Sequence, residues 1–306
     1  MKSEKQLSDS SFIEKLTDRI NATYQDSFAV NHNEEQDLPR EQEILENLNR
    51  LMELIFPGFS GRTVHSAETM KYAVGEILAQ TYVSMRALIY RVNRYLCKRD
   101  PSECNCMERA EKAARELLES IPDIREAMKQ DVQAAFDGDP AAKSLDEVVL
   151  SYPCIKAITI QRIAHNLYLS GVPMIPRMMG EYAHRITGID IHPGAKLGKG
   201  LFIDHGTGVV IGETAEIGKG VKIFKGVTLG ALSFPKDACG MIIKGAKRHP
   251  TIEDDVTIYA GASILGSVTI GAGSIIGGNV WLTENTPPGT KITIADPRLT
   301  IKSFRK

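Results

Sequence analysis

The sequence predicts an α+β protein of two domains, in which an α-helical N-terminal domain precedes a left-handed parallel β-helix built of hexapeptide repeats. The first observation is the distribution of glycine, because only six of the 26 glycines come before residue 185 and the rest fall between Gly188 and Gly289. The second is a change of apolar period, from three and four residues in the first part to six in the second. We therefore expect the helical domain at 1–187, the β-helix at 188–290 and a C-terminal tail at 291–306.

The helical domain is predicted from apolar residues that recur at the spacing of one helix face. Two such series are Ile44, Leu45, Leu48, Leu51, Met52 and Ile55, and then Val74, Leu78, Tyr82, Met85 and Ile89. Proline and glycine interrupt the pattern at 57–61, 98–105 and 137–140. Two further helices are expected at 153–169 and 176–187.

The β-helix is predicted from a repeat of six residues that begins at Ile191. Its large apolar positions after residue 250 are Ile252, Ile258, Ile264, Ile270, Ile276 and Leu282. Three such hexads form one coil of about 18 residues, and we expect about four to five coils. One step of eight residues interrupts the repeat around 204–208, and the period disappears at 231–248. We expect a loop extruded from the coil at 231–248 and a function for that loop.

Composition limits the classes of partner and compartment. Lys and Arg number 37 against 38 for Asp and Glu, so the net charge of -1 gives no reason to expect a nucleic acid or an anionic membrane as a partner. Five cysteines are too few, and odd in number, for the disulfide framework of a secreted protein of this length. No segment approaches the ~20 apolar residues of a membrane span. We therefore expect a cytoplasmic protein.

Polar residues inside the apolar repeat predict a catalytic site. Asp190 and His205 are 15 residues apart, close to one coil, so we expect them on neighbouring coils within hydrogen-bonding reach. A carboxylate that accepts one ring N–H of histidine fixes the tautomer and leaves the other nitrogen to act as a general base. The alternatives are a histidine with a structural role in a turn or core, and a noncatalytic solenoid that displays a binding loop.

Several motifs carry a resemblance to one enzyme family. They are Asp139-Pro140, YPCIKAITIQRIAHNLY at 152–168, EYAHRITG at 181–188, IDIHPGAKLGKGLFIDHGTGVVIGETAEIG at 189–218, GVTLGA at 226–231 and KRHPTIEDDVTI at 247–258. Together they resemble serine O-acetyltransferase, which transfers an acetyl group from acetyl-CoA to the hydroxyl of L-serine in cysteine biosynthesis. The resemblance covers roughly 139–285, whereas the first 110 or so residues resemble the family only as a helical domain.

The resemblance implies a role for each matching side chain. His205 would be the general base that removes the serine hydroxyl proton, and Asp190 would orient it. The implied substrate-binding residues are Asp139, Asp204, Arg248 and His249. The two aspartates would hold the substrate ammonium, the arginine its carboxylate, and the histidine would contact the reacting side chain. Such a charge pattern suits a zwitterionic amino acid.

The resemblance also implies the other molecules that the protein binds. Acetyl-CoA would be the co-substrate, lying in the outer groove between coils against backbone groups around Gly230, Ala231 and Ala260. L-cysteine would be the end-product inhibitor. We expect a homo-oligomer, either a trimer with active sites between subunits or a dimer of trimers. A complex with O-acetylserine sulfhydrylase is not expected, because the chain ends in a basic tip and not in isoleucine. A hexapeptide acyltransferase for a sugar or another acceptor is the alternative.

Two sets of residues could instead be metal ligands. His192, His205 and His249 could hold zinc, but the aspartates beside them suit acid–base chemistry better, and we expect no metal cofactor. Cys97, Cys104 and Cys106 form a C-x6-C-x-C set without a fourth ligand nearby, so we expect free thiols in a hairpin between helices, and zinc ligands are the alternative. Cys154 and Cys239 are expected to be unpaired.

Overall fold

The protein is described here by a computed structural model that covers residues 2–24, 38–59, 61, 66–97, 104–233, 241 and 245–295. Three features that the sequence singled out lie outside these residues: Cys239, most of the predicted loop at 231–248, and the basic C-terminal end.

The chain divides into two compact units, Met1–Asp37 and Leu38–Lys306. The first contains helix α1 (Lys2–Thr23). The second begins with helices α2 (Glu41–Ile55), α3 (Ala67–Leu96), α4 (Cys106–Glu119), α5 (Ile121–Gly138), α6 (Leu145–Ser151), α7 (Pro153–Leu169) and α8 (Ile175–Thr187). Helices and strands from residue 38 onward share one compact unit, and the division into domains at 187/188 stays a prediction.

Short strands follow the last helix and form three parallel sheets. They are β1 (Ile189–Ile191), β2 (Lys196–Leu197), β3 (Phe202–Asp204), β4 (Val209–Ile211), β5 (Glu216–Ile217), β6 (Lys222–Phe224), β7 (Thr228–Gly230), β8 (Thr251–Ile252), β9 (Thr257–Ile258), β10 (Ser263–Leu265), β11 (Thr269–Ile270), β12 (Ile275–Ile276), β13 (Trp281–Leu282) and β14 (Lys291–Ile292). The first sheet has the order β1-β4-β7-β10-β13, the second β2-β5-β8-β11, and the third β3-β6-β9-β12-β14. Strands β1 to β13 thus take the three sheets in turn, and β14 joins the third sheet, so the strands form a parallel β-helix of about five coils.

The hexad positions fill the interior of the coils, as their spacing predicts. Ile264 and Ile270 are fully buried, and the inward positions two residues before the large ones include the buried Val256 and Ala262. Ser274 is the polar member of this series, and its hydroxyl donates to the carbonyl of Pro287 at 3.1 Å. The interior of the coils is therefore apolar at most hexad positions, and the one serine in the series makes a hydrogen bond.

The eight-residue step adds two residues to the first coil. Asp190 pairs with Val210, 20 positions on, whereas Val210 pairs with Thr228, 18 positions on. The additional residues lie in the turn between β3 and β4, where both His205 and Gly206 have positive φ, +57° and +76°. Gly206 is required there, because a Cβ would approach Ile189 Cδ1 to 2.4 Å.

Helix α7 covers the open end of the first coil through a buried ion pair. The guanidinium of Arg162 lies 2.9 Å from Asp131, which is fully buried on α5, and also donates to the carbonyls of Leu197 and Gly198. Asp131 in turn accepts from the backbone N–H of Leu201 at 2.9 Å. The first coil therefore has a polar cap of charge-assisted hydrogen bonds that fixes the helices against the strands.

The β-helix continues past the point where we expected it to end. Strand β14 pairs with β12 through Lys291 and Ile292, beyond the predicted limit at residue 290, because the parallel ladder accepts one more short strand after the turn at Gly289. None of the described helices combines the length and the apolar composition needed to cross a membrane.

Candidate active site

His205 lies at the corner between the third and first sheets, in the two-residue insertion. Its side chain is 75% exposed, and its Nε2 lies 3.7 Å from Asp204 Oδ1. A non-glycine residue in the left-handed region is uncommon and concentrates at functional sites. The insertion thus displays the imidazole on the surface of the coil.

Asp139 lies at the end of α5, close enough to His205 for the two charges to interact. One oxygen of its carboxylate accepts the backbone N–H of Ala141 at 2.8 Å and the other accepts the hydroxyl of Tyr152 at 2.5 Å. The Tyr152 hydrogen bond, followed by the Ala141 N–H, holds the pKa of Asp139 below its usual range, and the charge of His205 acts in the same direction. Asp139 is therefore an oriented anion at neutral pH.

We call Asp139, Tyr152, Asp204, His205 and Lys222 the His205 cluster. Asp204 belongs to it because its charge, after the dominant hydrogen bond from Tyr152 to Asp139, contributes to a raised pKa of the Tyr152 hydroxyl. Lys222 Nζ donates to the carbonyl of Gly138 at 2.5 Å, which ties β6 to the end of α5. Two carboxylates beside an exposed imidazole form a site that suits a small cationic group.

A second group lies at the corner between the first and second sheets. We call Tyr168, His192, Glu213, Thr214, Arg248 and His249 the His249 cluster. Its buried member is His249, which is 7% exposed and packs over Gly212, where a Cβ would stand 2.1 Å from the imidazole Nε2. Only glycine at this position gives the ring its space.

Thr214 fixes the tautomer of His249. The Thr214 hydroxyl accepts the backbone N–H groups of Arg248 at 3.0 Å and His249 at 3.1 Å, and it lies 2.9 Å from His249 Nδ1. The backbone N–H of Thr214 also donates to Nδ1, at 3.1 Å. Because a backbone N–H can only donate, Nδ1 is an acceptor and the neutral ring carries its proton on Nε2.

Arg248 forms an ion pair with Glu213 of the preceding coil. Its guanidinium is paired with one oxygen of Glu213, and the other oxygen of Glu213 accepts the hydroxyl of Tyr168 at 2.8 Å. The ring of His192 packs edge-on against Tyr168, with 5.7 Å between ring centres. Glu213 therefore orients the guanidinium, whose remaining N–H groups are suited to bind a carboxylate.

Burial lowers the pKa of His249 to about 4, with a further contribution from the charge of Arg248. Between that value and about 6.5 the unfolded chain binds a proton that the folded chain does not, so the free energy of unfolding should decrease as the pH falls through this window. Chemical denaturation at pH 7 and pH 5 tests this. The wild type should lose more stability than His249→Asn between the two pH values, and equal losses would contradict the prediction.

The position of Asp190 corrects one expectation. Its register partner on the neighbouring coil is Val210, so Asp190 and His205 belong to the same coil and not to neighbouring ones. The two-residue insertion is the physical reason, because it lengthens this coil from 18 residues to 20. Asp190 and His205 are both in the described part of the chain, and no hydrogen bond joins their side chains. The charge of Asp190 instead acts on His192, whose pKa it raises against the larger lowering effect of burial. Orientation of His205 by Asp190 stays a prediction.

The two clusters lie at opposite edges of the first sheet. Strand β4 runs from the His205 corner to the turn that contains Glu213 and Thr214, and its three residues span about 10 Å. Among the described side chains that could hold a metal, His192, His205 and His249 do not form a group within one chain, whereas three cysteines elsewhere do.

Family models match both the helical part and the β-helical part of the chain. Residues 62–159 match the family model for the N-terminal part of serine acetyltransferases, and 249–284 match that for the bacterial transferase hexapeptide, six repeats. A serine acetyltransferase of Synechococcus elongatus (plasmid) is 45% identical over 265 residues, 85% of this chain and 83% of the relative. The chain belongs to the serine acetyltransferase family.

Solved structures of this family have the same fold. Serine acetyltransferase isoform 3 of Entamoeba histolytica, in complex with cysteine, is 36% identical, with a TM-score of 0.72 and 96% of each chain covered. Serine acetyltransferase 1 of the same organism, in complex with L-cysteine, is 33% identical, with a TM-score of 0.71 over 90% of this chain and 94% of that one. The family resemblance carried by the motifs and the fold class predicted from the hexad repeat, a left-handed parallel β-helix after a helical region, are thus confirmed.

The acetyl-CoA positions expected for this family lie at two corners. Gly230 is the last residue of β7, Ala231 follows it, and Ala260 lies in the turn after β9. The carbonyl of Gly230 accepts the N–H of Gly266, and that of Ala260 accepts the N–H of Asn279, so both belong to the ladder between coils. Contact of these three residues with acetyl-CoA stays a prediction.

The sequence analysis did not single out the residues that hold the predicted site residues in place. Tyr152, Tyr168, Glu213 and Thr214 hold the predicted side chains but lack a spacing of their own that marks them. All four stand inside the motifs that carry the family resemblance. A signal was therefore present in the motifs, although the chemistry of each residue became apparent only from its contacts.

Proposed function

We propose that this enzyme transfers the acetyl group of acetyl-CoA to the hydroxyl of L-serine, giving O-acetyl-L-serine and CoA, the first step of cysteine biosynthesis from serine. The observation that carries the proposal is the charge pattern of the two clusters. Asp139 and Asp204 flank an exposed imidazole, and an oriented guanidinium stands beside the neutral His249. These groups complement the two ends of an amino acid and its reacting side chain.

In the proposed mechanism His205 removes the proton from the serine hydroxyl while the oxygen attacks the thioester carbonyl of acetyl-CoA. The tetrahedral intermediate collapses with departure of the CoA thiolate, which recovers the proton from the imidazolium. No covalent enzyme intermediate is needed, because the thioester is already activated and both substrates are held together. The exposed position of His205 leaves its ring accessible to a substrate hydroxyl, and Asp190 is proposed to orient it.

The proposed substrate-binding side chains are held in position by hydrogen bonds within the chain. The Asp139 carboxylate is held by Tyr152 and Ala141, so it presents a fixed anion to the ammonium together with Asp204. Arg248, held from one side by Glu213, binds the carboxylate. His249, with its proton on Nε2, is a donor toward the reacting oxygen.

The proposal requires more than one copy of the chain. About 10 Å of strand lies between the two corners, which is more than a single serine bridges by direct hydrogen bonds. A neighbouring subunit would bring its His249 cluster to the His205 cluster of the first, as in a trimer. We propose a homo-oligomer, either a trimer or a dimer of trimers, with each active site between two subunits.

L-cysteine is proposed as a feedback inhibitor that occupies the serine site. It differs from serine by sulfur in place of oxygen, so groups that bind the ammonium and the carboxylate bind both molecules. Two relatives from Entamoeba histolytica have been solved in complex with cysteine, which supports cysteine as a ligand of this family. Inhibition is then expected to be competitive with serine.

Substitution of Tyr152 tests the anchoring of Asp139. Tyr152→Phe keeps the ring but removes a 2.5 Å hydrogen bond to a charged group, and such bonds contribute about 1.5–3 kcal/mol. We expect the KM for serine to rise about 10-fold, with a smaller change in kcat, because ammonium binding is weakened and the base is untouched. Tyr72→Phe, at an exposed position on α3, is the control. An unchanged KM would show that Tyr152 does not support the substrate site.

The proposed function is tested by thiol release from acetyl-CoA with L-serine, galactosides and a panel of amino sugars as acceptors. Release with serine and only background release with the sugars is the expected result. Release with a sugar and none with serine would identify a hexapeptide acyltransferase of another specificity. A lack of thiol release above background with every one of these acceptors would support a noncatalytic solenoid.

A further inference from the structure

Three cysteines meet where helix α3 ends and helix α4 begins. Cys97 follows the last residue of α3, Cys106 is the first residue of α4, and Cys104 lies just before it. Their Sγ atoms all lie within 4.8 Å of one another. The proposed acetyl transfer makes no use of these thiols.

The two helices hold the thiols in place. The backbone N–H of Cys97 donates to the carbonyls of Asn93 and Arg94 at 3.0 and 3.1 Å, which fixes the end of α3. The Asn93 side chain donates to the carbonyl of Cys106 at 3.4 Å and so ties the start of α4 to α3. Cys106 is buried, while Cys97 and Cys104 are half-buried and border the surface. The cluster is therefore accessible from one side and anchored on the other.

The geometry of the cluster suits a metal ion better than a disulfide. A disulfide brings two sulfurs to about 2 Å and leaves the third without a partner. Zinc bound to thiolates has a Zn–S distance of about 2.3 Å, so tetrahedral ligands stand roughly 3.8 Å apart. Three sulfurs that are all mutually within 4.8 Å approach that arrangement with small side-chain adjustments.

The charge around the cluster is also suitable. Three thiolates around a divalent ion leave a net charge of about -1. The guanidinium of Arg94 lies 3.3 Å from Cys104 Sγ, and Arg109 lines a cavity of about 680 Å³ that also borders Cys97 and Cys106. Two cations thus stand near the place where that negative charge would develop, and the cavity gives a small ligand access to it.

We propose that Cys97, Cys104 and Cys106 bind one zinc ion as three thiolates, with a water or a small exogenous ligand in the fourth position. Each thiol gives up its proton on binding, so the ion replaces three protons. The ion joins the end of α3 to the start of α4. Because the folded chain brings the ligands together, zinc binding stabilises this helix pair.

The test uses the full-length chain, reduced and stripped of metal, and titrated with zinc alone. We expect one zinc per chain by native mass spectrometry and a rise in Tm on zinc addition. Cobalt(II) as a probe should give the thiolate charge-transfer absorption of a tetrahedral sulfur site. A reduced chain that binds no zinc, or a cobalt spectrum without thiolate absorption, would overturn the proposal.

Variants assign the ligands. Cys97→Ser and Cys104→Ser change half-buried residues and should each weaken zinc binding at least ~100-fold, since even the loss of an indirect partner costs 10- to 100-fold. Cys154→Ala, at a buried cysteine on α7 outside the cluster, should bind zinc as the wild type does. Circular dichroism confirms that each variant is folded. Wild-type zinc affinity in a folded Cys97→Ser or Cys104→Ser chain would overturn the assignment. These readouts do not depend on acetyl transfer.

Discussion

The His205→Ala variant is expected to turn over at least ~10²-fold more slowly than the wild type, because a positioned general base contributes about 10²- to 10⁴-fold. Its thermal stability should change little, since the side chain is 75% exposed and contributes little to packing. Initial rates at saturating serine and acetyl-CoA, with thermal unfolding of the same preparations, measure both quantities.

The backbone at this position supplies a matched control. With φ at +57°, residue 205 is in the left-handed region, which asparagine adopts more readily than alanine. His205→Asn should therefore be as inactive as His205→Ala and at least as stable. Asp190→Asn should also reduce kcat, because an amide presents the wrong partner to the imidazole. If stability fell in parallel with activity in both His205 variants, a structural role of the histidine would be favoured over the base.

The hexad pattern made the β-helix predictable, because a period of six residues fits only a coil that turns after each short strand. Burial of Ile264 and Ile270 agrees with their place in the series. The membership of Asp190 and His205 in one coil was not predictable from an average coil length. Their membership in one coil depends on a two-residue insertion. In the hexad repeat this insertion is visible only as one spacing of eight residues in place of six.

The site was predictable as a set of residue types, and its internal hydrogen bonds were not. Asp139 and Tyr152 are 13 residues apart on either side of α6, and their contact depends on how that short helix turns the chain. Thr214 and His249 are 35 residues apart and meet because their turns stack on consecutive coils. Contacts of this kind arise from the stacking of turns, for which a single sequence carries no periodic signal.

The cysteines show the same limit in the helical region. Their C-x6-C-x-C spacing without a fourth ligand favoured free thiols and left a metal site as the alternative. The antiparallel approach of α3 and α4, fixed in part by the hydrogen bond from Asn93 to Cys106, decides that the three sulfurs converge. The sequence spacing identifies the three cysteines as candidate ligands, and the packing of α3 against α4 determines the distances between their sulfurs.

The Arg248→Ala variant should lose affinity for serine and for cysteine together, each by at least about 30-fold. Truncation of one partner in a buried, hydrogen-bonded charge pair costs about 2–5 kcal/mol. In the proposed site this guanidinium binds the substrate carboxylate as well as Glu213, and it is only about one-fifth exposed. Arg248→Lys should recover little, because an ammonium cannot bind Glu213 and a carboxylate with the geometry of a planar fork.

The comparison of the two ligands decides whether cysteine inhibits at the serine site. The KM for serine and the inhibition constant for cysteine are measured on Arg248→Ala, Arg248→Lys and Glu213→Gln. Glu213→Gln keeps the arginine but loses the charge that orients it, so it should shift both constants in the same direction and by less. If the serine KM rises while cysteine inhibits as in the wild type, cysteine binds elsewhere. The role of Arg248 in serine binding would then stand and its part in feedback inhibition would not, because a shared carboxylate contact cannot be lost for one ligand alone.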